Sequence, residues 1–241
     1  MLYAHHRIVH KPGAQHKARP VRKLPPIPES TARFADLVVP SADEHVVEQS
    51  SPLHPCPDVP VLVFDLDNTL LHSCAARVDD EALAAIEVTV DKFQYCVHLR
   101  PGADRVLRYL CQHAGFFRFG FLSAGTEEYV HAVLAAVFAH LDVPDWKDKV
   151  RFVRTRRHAW LHPASGQYVK SLSAIARAFQ TTKVLLIDDN VVHTLVPFNF
   201  GRIVLVPPFQ AHVPGASSDT VLDQLYAQIS KWHAEHATGS E

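Results

Sequence analysis

The sequence predicts an α/β domain built on an open, largely parallel sheet with helices packed on its faces. Three observations predict it. Short, predominantly apolar runs recur at VLVF, FFRFGFL, KVLLI and RIVLV, the texture of strands buried on both faces. Segments of helical spacing separate them, and strand–helix alternation builds a parallel sheet. Polar, chemistry-bearing residues stand directly after three of the runs, at the edge where such sheets place their ligands.

The elements follow in order. VLVFDLDNTLL begins after Pro60 as the first buried strand. AAIEVTV and QYCVHL read as a hairpin turning near Asp91-Lys92, closed by Pro101-Gly102. ADRVLRYLCQHAG carries apolar residues at 106, 107, 110 and 111, a helical spacing that Gly115 is expected to stop. FFRFGFLSAG is the second buried strand. TEEYVHAVLAAVFAHL is a helix with Thr126 as N-cap and Glu127 and Glu128 at the positive end of its dipole. VRFVRT is a strand, and WLHPASGQYV is a hairpin around Ser165-Gly166. SLSAIARAF is a helix, KVLLIDDN the third buried strand and RIVLVP the fourth. SSDTVLDQLYAQISKWHAEHA closes the chain as an amphipathic helix with Leu222, Leu225, Ile229 and Trp232 on one face.

Residues 1–57 have a different texture. Proline recurs (KLPPIPES, SSPLHPCPDVP) and no apolar period is sustained, so this tail is expected to be disordered. A short element near RFADLVVP is the one exception considered. His5, His6, His10 and His16 cluster here, and solvated histidines are the ordinary reading. The expected organisation is thus a tail over 1–57 and a domain over 58–237.

Composition removes several functions. Lys+Arg is 24 and Asp+Glu is 25, a net charge of −1, without the basic excess that a direct nucleic-acid binder needs. No apolar run is long enough for a membrane span. The four cysteines (Cys56, Cys74, Cys96, Cys111) form no CxxC pair, so neither a disulfide framework nor a thiolate zinc site is expected. Free thiols point to an intracellular, reducing compartment, cytoplasm or nucleus. The basic leader leaves organelle targeting open, although its prolines would break the amphipathic helix of a transit peptide. No cysteine has an arginine six positions later, which removes cysteine-based phosphatase chemistry. Walker and GxGxxG loops are absent as well.

What remains is a set of residues at strand ends. Asp65, Asp67 and Thr69 follow the first strand, Ser123 the second, Asp188 and Asp189 the third, and Lys170 precedes the helix leading into the third. Each alone reads as a turn former, helix cap or surface lysine. Together they share one sheet edge, which such readings do not predict. The chemistry that this set supports is phosphoryl transfer. One carboxylate can attack while its neighbour moves a proton. A hard cation such as Mg²⁺ offsets the crowded negative charge, and a hydroxyl and an ammonium can hold phosphoryl oxygens.

FDLDNTLLHS resembles the DxDx[TV] first motif of the haloacid-dehalogenase superfamily. It is closest to the DLDETLVHS form of the FCP/SCP branch, the small phosphatases of the RNA polymerase II carboxy-terminal domain, also called NLI-interacting-factor-like. IEVTVDKFQYCVHLRPGADRVLRYL is similar to that branch's hairpin, Arg-Pro turn and helix, and FLSAGTEEYV, GQYVKSLSAI and LLIDDN to its later motifs. The match spans about residues 60–235. The resemblance implies a Rossmann-like parallel sheet flanked by helices, with a small β-hairpin insertion and no large cap. It implies a Mg²⁺-dependent protein phosphatase for phosphoserine, phosphothreonine or phosphotyrosine that acts through an aspartyl-phosphate, with a phosphoprotein or phosphopeptide as partner and a monomeric chain. Asp65 is the implied nucleophile and Asp67 the acid and base. Asp65, the backbone carbonyl of Asp67 and Asp189 hold Mg²⁺, with Asp188 supporting. Thr69, Ser123 and Lys170 bind phosphate. Arg156 is best placed as a further substrate contact, with Arg154 and Arg157 competing.

The chain departs from the branch at Asn68 for Glu, Ser123 for Thr and Ser171 for Asp, and in a longer segment from Ser123 to Lys170. Two alternatives stand beside the main reading. One is a non-catalytic phosphoprotein-binding or scaffold module of the same fold. The other is a small-molecule phosphomonoesterase. Trp160 and Tyr168 are read as hairpin packing, and His158, His162 and His193 as satisfied or surface histidines.

Overall fold

A computed structural model of the chain describes residues 59–163 and 165–237. The tail over 1–57, with its RFADLVVP segment and its histidines, lies outside the described residues.

Five strands make the central sheet: β1 (Val61–Phe64), β5 (Arg118–Leu122), β6 (Val153–Arg154), β9 (Val184–Asp188) and β10 (Ile203–Leu205). All pair in parallel, in the spatial order β10-β9-β1-β5-β6. Among the described residues five α-helices accompany them: α1 (Ala103–Gln112), α2 (Glu127–His140), α3 (Trp146–Lys149), α4 (Ser173–Ala178) and α5 (Val221–Ala237).

Alternation along each strand sends successive residues to opposite faces. Leu62, Phe64, Phe119, Phe121 and Ile187 join the core shared with α1, α2 and α5, whereas Val61, Val63, Leu122, Val184 and Leu186 meet α4. That double burial is why the strands carry no polar interruption until their ends. Gly120 is required where β6 crosses closest to β5, since a Cβ there would lie 2.4 Å from the Phe152 carbonyl oxygen.

Two small sheets stand outside the main one. β7 (Ala159–His162) and β8 (Gln167–Lys170) form the expected hairpin, with Gly166 at φ 66 in its turn. The other hairpin, β3 (Ala85–Val90) and β4 (Phe93–Leu99), turns at Asp91 and gains a third strand, β2 (Leu71–Cys74), which pairs antiparallel with β4. Sequence reasoning did not separate β2 from the motif preceding it. Three details correct the expectations, the first being that RIVLVP, expected as a buried strand, is the edge strand β10, with Leu205 54% exposed. α1 ends at Gln112, and Gly115 does not have the left-handed backbone of a helix stop. The VRFVRT strand shortens to two residues.

The strand order places the site. From β1 the chain moves outward to β5 and β6, then returns on the other side of β1 to β9 and β10. The direction reverses at β1, and such reversals open a crevice at the carboxyl ends of the flanking strands.

Candidate active site

Asp65 is the first residue beyond β1, and its N–H donates to the Ile187 carbonyl of β9 at 3.0 Å. The loop that follows curls tightly. The N–H groups of Thr69, Leu70 and Leu71 all reach back to the Leu66 carbonyl, at 3.2, 2.9 and 3.1 Å. Asn68 takes a left-handed φ of 62, a conformation that asparagine tolerates better than most residues. Its side chain meets His72 Nδ1 at 3.2 Å. The asparagine in place of the branch's usual Glu therefore suits the turn.

The loop lines a cleft of about 520 Å³ together with Ser123, Tyr129, Arg156, Tyr168, Lys170, Asp188 and Asp189. Asp65, Asp188 and Asp189 each bring a carboxylate oxygen within 4.8 Å of the others. Lys170, at the end of β8, enters from the side. Its ammonium pairs with Asp65, and with Asp188 Oδ2 at 2.7 Å. Thr69 Oγ1 bridges Asp65 Oδ2 at 3.3 Å and Asp189 Oδ1 at 3.4 Å. Thr69 is completely buried, so its hydroxyl faces these carboxylates and not the open cleft.

Electrostatics follows from this crowding. Burial pushes the Asp65 carboxyl up to about 7, with Lys170 pulling it back and Asp188 adding to the rise. Burial, and next Asp188, raise Asp189. Burial would raise Asp188 too, but Lys170 and His193 outweigh it and hold that carboxyl below its ordinary range. Burial disfavours the Lys170 ammonium, yet the Asp65 and Asp188 carboxylates more than restore it. Three carboxylates against one ammonium leave excess negative charge in a water-poor site. Clustered oxygen donors with that excess fit a hard dication such as Mg²⁺.

Asp67 stands apart from this trio. Tyr129 OH donates to its Oδ1 at 2.5 Å, and the Tyr129 oxygen also lies 2.5 Å from Ser73 Oγ. Burial raises the Asp67 carboxyl, and the Tyr129 hydrogen bond pulls it back in part. Ser123, one residue past β5, is buried and accepts from the Gly125 N–H at 2.9 Å. Arg156 Nε donates to the Ala124 carbonyl at 2.7 Å, and its guanidinium lies over the Tyr168 ring, 5.0 Å from the centroid. Tyr168 is thus a wall of the cleft as well as part of its hairpin. Of the two competing arginines, Arg157 pairs with Glu127 at 2.8 Å, and Arg154 belongs to β6.

Several residues here escaped sequence reasoning. His193 is buried; its Nε2 lies 3.3 Å from Asp188 Oδ2, and its Nδ1 accepts from the Lys170 N–H at 3.2 Å. Asn199 donates to the carbonyls of Lys170 and His193 at 2.7 and 2.8 Å and accepts from Leu172 N–H at 3.0 Å. Together they fix the backbone that carries the lysine. Arg100, fully buried behind the loop, donates to the Thr69 carbonyl at 3.2 Å and forks onto Asp219 at 3.1 and 2.8 Å. The Arg-Pro pair in the sequence pointed at Arg100 only as part of a turn. His193, read as a satisfied or surface histidine, is satisfied by Asp188 and the Lys170 N–H. Nothing local announced the contacts of Asn199 with Lys170 or of Tyr129 with Asp67, which join residues distant in the chain.

An open parallel sheet, an acidic trio with a buried lysine at its carboxyl edge, and only small inserted sheets among the described residues agree with the haloacid-dehalogenase-type α/β domain that the sequence motifs led one to expect. The family model described as NLI interacting factor-like phosphatase matches residues 60–238. The chain belongs to that family. No individually curated relative matches the chain. Among solved structures, it is similar to Fcp1, described as an essential RNA polymerase II CTD phosphatase, at 16% identity and a TM-score of 0.43, covering 73% of this chain and 50% of that one. A variant of the fission yeast Fcp1 CTD phosphatase bound to beryllium fluoride gives 16% identity, a TM-score of 0.43 and coverage of 72% and 50%. The chain spans about half the length of these solved relatives. Among the described residues, no helix is long and apolar enough to cross a membrane.

Proposed function

We propose that the chain is a Mg²⁺-dependent protein phosphatase acting on phosphoserine, phosphothreonine or phosphotyrosine through Asp65. The observation that carries the reading is the buried trio Asp65, Asp188 and Asp189 around the Lys170 ammonium, beside a second carboxylate, Asp67, held by a tyrosine. Membership of a phosphatase family supports it.

In this mechanism an Asp65 carboxylate oxygen attacks phosphorus, and the bond to the substrate oxygen breaks. Asp67 gives its proton to that leaving oxygen. Burial raises that carboxyl above its ordinary range, so it keeps its proton to higher pH than a solvated aspartate, which suits the acid role. Water then attacks the aspartyl-phosphate while Asp67 takes a proton back, releasing inorganic phosphate and restoring Asp65. Lys170, Ser123 and Arg156 offer the phosphoryl oxygens an ammonium, a hydroxyl and a guanidinium. Thr69, bridging two carboxylates, keeps the nucleophile aimed. Asp65, the Asp67 carbonyl and Asp189 would hold Mg²⁺, with Asp188 supporting. Mg²⁺ supplies positive charge that neutralises the carboxylates and the developing phosphoryl charge.

The small β2-β4-β3 and β7-β8 sheets frame the cleft without enclosing it, which favours a phosphorylated side chain on a peptide over an enclosed metabolite. The test is hydrolysis of p-nitrophenyl phosphate, expected to need Mg²⁺ and to stop with EDTA. A panel of phosphopeptides against sugar phosphates then decides the substrate class. Turnover only of sugar phosphates overturns the protein-phosphatase reading. Binding of phosphopeptides without turnover favours the scaffold alternative.

Two further outcomes are expected. The raised Asp65 carboxyl means that ionising it opposes the metal-free fold. For this group, stability is present at low pH and is lost as pH rises toward about 7. A dication reverses that loss. Mg²⁺ therefore raises the melting temperature more at pH about 8 than at about 6. An equal or smaller increment at the higher pH argues against Asp65 as a ligand.

Tyr129→Phe removes the bond that lowers the Asp67 carboxyl, so that carboxyl rises further. The basic limb of the pH–rate profile moves to higher pH, and kcat falls by about tenfold as Asp67 loses its orientation. An unshifted basic limb means that Asp67 is not the acid.

A further inference from the structure

β2 and β4 place Cys74 directly opposite Cys96. Cys74 is partly exposed, Cys96 is buried, and both are free thiols. Directly opposed residues of an antiparallel pair have Cα atoms about 4.5–5.5 Å apart and side chains on the same face. Disulfides span Cα separations of about 4.4–6.8 Å. The Cys74 sulfur already lies 3.6 Å from the Cys96 carbonyl oxygen, and it donates to the Ala76 carbonyl at 2.9 Å. No other pair of cysteines among the described residues shares a strand register.

The neighbours of this pair give it a consequence. Ser73, beside Cys74, touches the Tyr129 hydroxyl at 2.5 Å. Tyr95, beside Cys96, packs edge-on against the Tyr129 ring with centroids 5.4 Å apart. Tyr129 in turn holds Asp67. The two cysteines therefore flank the two residues that support the tyrosine on the proposed general acid.

We propose that Cys74 and Cys96 are a peroxide-sensitive dithiol whose oxidation to a disulfide locks β2 to β4 and lowers turnover at the neighbouring site. The effect on turnover rests on the phosphatase reading; the chemistry of the thiols does not. A hydrogen peroxide molecule oxidises the more accessible Cys74 thiol to a sulfenic acid, releasing one water. The Cys96 sulfur then attacks the Cys74 sulfur. The S–S bond forms, and the sulfenic hydroxyl leaves with the Cys96 proton as a second water. Two thiols and one peroxide give one disulfide and two waters, the sulfurs giving up the two electrons that the peroxide gains. Burial pushes the Cys96 thiol up, which suits a resolving cysteine better than an initial target. In a reducing compartment the bond is transient and reopens with a dithiol reductant. Disulfide formation needs Cβ atoms about 3.8 Å apart, closer than the about 4.5–5.5 Å of opposed sheet residues. Closing that gap shifts Ser73 and Tyr95, and with them the aim of Tyr129.

The experiment treats the full chain with stoichiometric hydrogen peroxide and maps disulfides by peptide mass spectrometry under non-reducing conditions. The expected result is a Cys74–Cys96 linked peptide that dithiothreitol removes and Cys74→Ser abolishes, with Cys111 still a free thiol. Mg²⁺-dependent p-nitrophenyl phosphate turnover of the oxidised chain falls by about tenfold and recovers on reduction, while Cys74→Ser resists peroxide. Free thiols throughout, Cys74 over-oxidised to a sulfinic acid, or Cys74 paired with Cys56 each overturn the dithiol. A mapped disulfide with unchanged turnover overturns its coupling to the site. A mapped disulfide in a chain that never turns over substrate leaves the dithiol standing and overturns the phosphatase reading instead.

Discussion

On the proposed mechanism, Asp65→Asn is expected to abolish phosphate-ester hydrolysis, lowering kcat by about 10⁴-fold or more, because an amide neither attacks phosphorus nor carries an acyl-phosphate. The substitution keeps the shape of the side chain, so the loop retains its curl around the Leu66 carbonyl. Stability is expected to hold or rise in the metal-free protein. Burial already penalises the ionised carboxyl, and removing that charge leaves Lys170 with Asp188, its partner at 2.7 Å. Loss of turnover with an undiminished melting temperature separates the nucleophile from a merely structural residue. Stopped assays and thermal melts on one preparation read both. Activity within about tenfold of the parent chain would mean that Asp65 is not the attacking group.

The second large effect is on stability and does not depend on the function at all. Arg100→Met removes a buried guanidinium that joins three parts of the fold. It forks onto Asp219, donates to the Thr69 carbonyl, and lies over the Phe209 ring, 5.7 Å from its centroid. Asp219 also accepts the Val221 N–H at 2.9 Å, so the arginine ties the first loop of the site to the start of α5. Breaking a buried ion pair by deleting one member is worth about 3–5 kcal/mol of destabilisation. Asp219 keeps some contact with solvent, which places the expectation near the lower figure. For a domain of this size that is a drop of about 6–12 °C in melting temperature. Asp219→Asn is expected to be at least as damaging, since it leaves a buried cation without its counter-charge. A shift of less than about 2 °C for Arg100→Met would show that the fork contributes no more than a surface pair.

The parts of the fold that were legible are those written in consecutive residues. β1, β5 and β9 announced themselves because strands buried on both faces are apolar along almost their whole length; β10 announced itself by its apolar run too, although it is a half-exposed edge strand. α2 carried its N-cap in the open, and Thr126 accepts the Tyr129 N–H at 3.4 Å as expected. β2 was not legible. Its His72 and Ser73 break the apolar run, and it becomes a strand only through β4 on its flank. Gly115 misled because a glycine after a helical pattern usually stops it, whereas α1 ends at Gln112, with the His113 N–H bonding back to the Tyr109 carbonyl.

The site divides in the same way. Asp65, Asp67, Ser123, Lys170, Asp188 and Asp189 were visible as polar residues at the ends of apolar runs, and the cleft brings them together. Their distinct environments were not visible. Asp188 and Asp189 are adjacent in sequence, yet one carboxyl is held down by Lys170 and His193 while the other is raised. That Thr69 bridges the Asp65 and Asp189 carboxylates was not visible either.

Local patterning in the chain was enough to read the fold class, the sheet edge where the polar residues gather, and the kinds of group found there. Burial periodicity and strand-end polarity are local properties that a single chain displays directly. Packing in three dimensions sets which carboxylate faces which cation, which hydroxyl meets Asp67, and which arginine braces the loop. Those pairings join residues as far apart as Asp65 and Lys170, or Thr69 and Asp189. Their energies come from charge separation and loss of water in three dimensions, neither of which has a counterpart in the order of the letters.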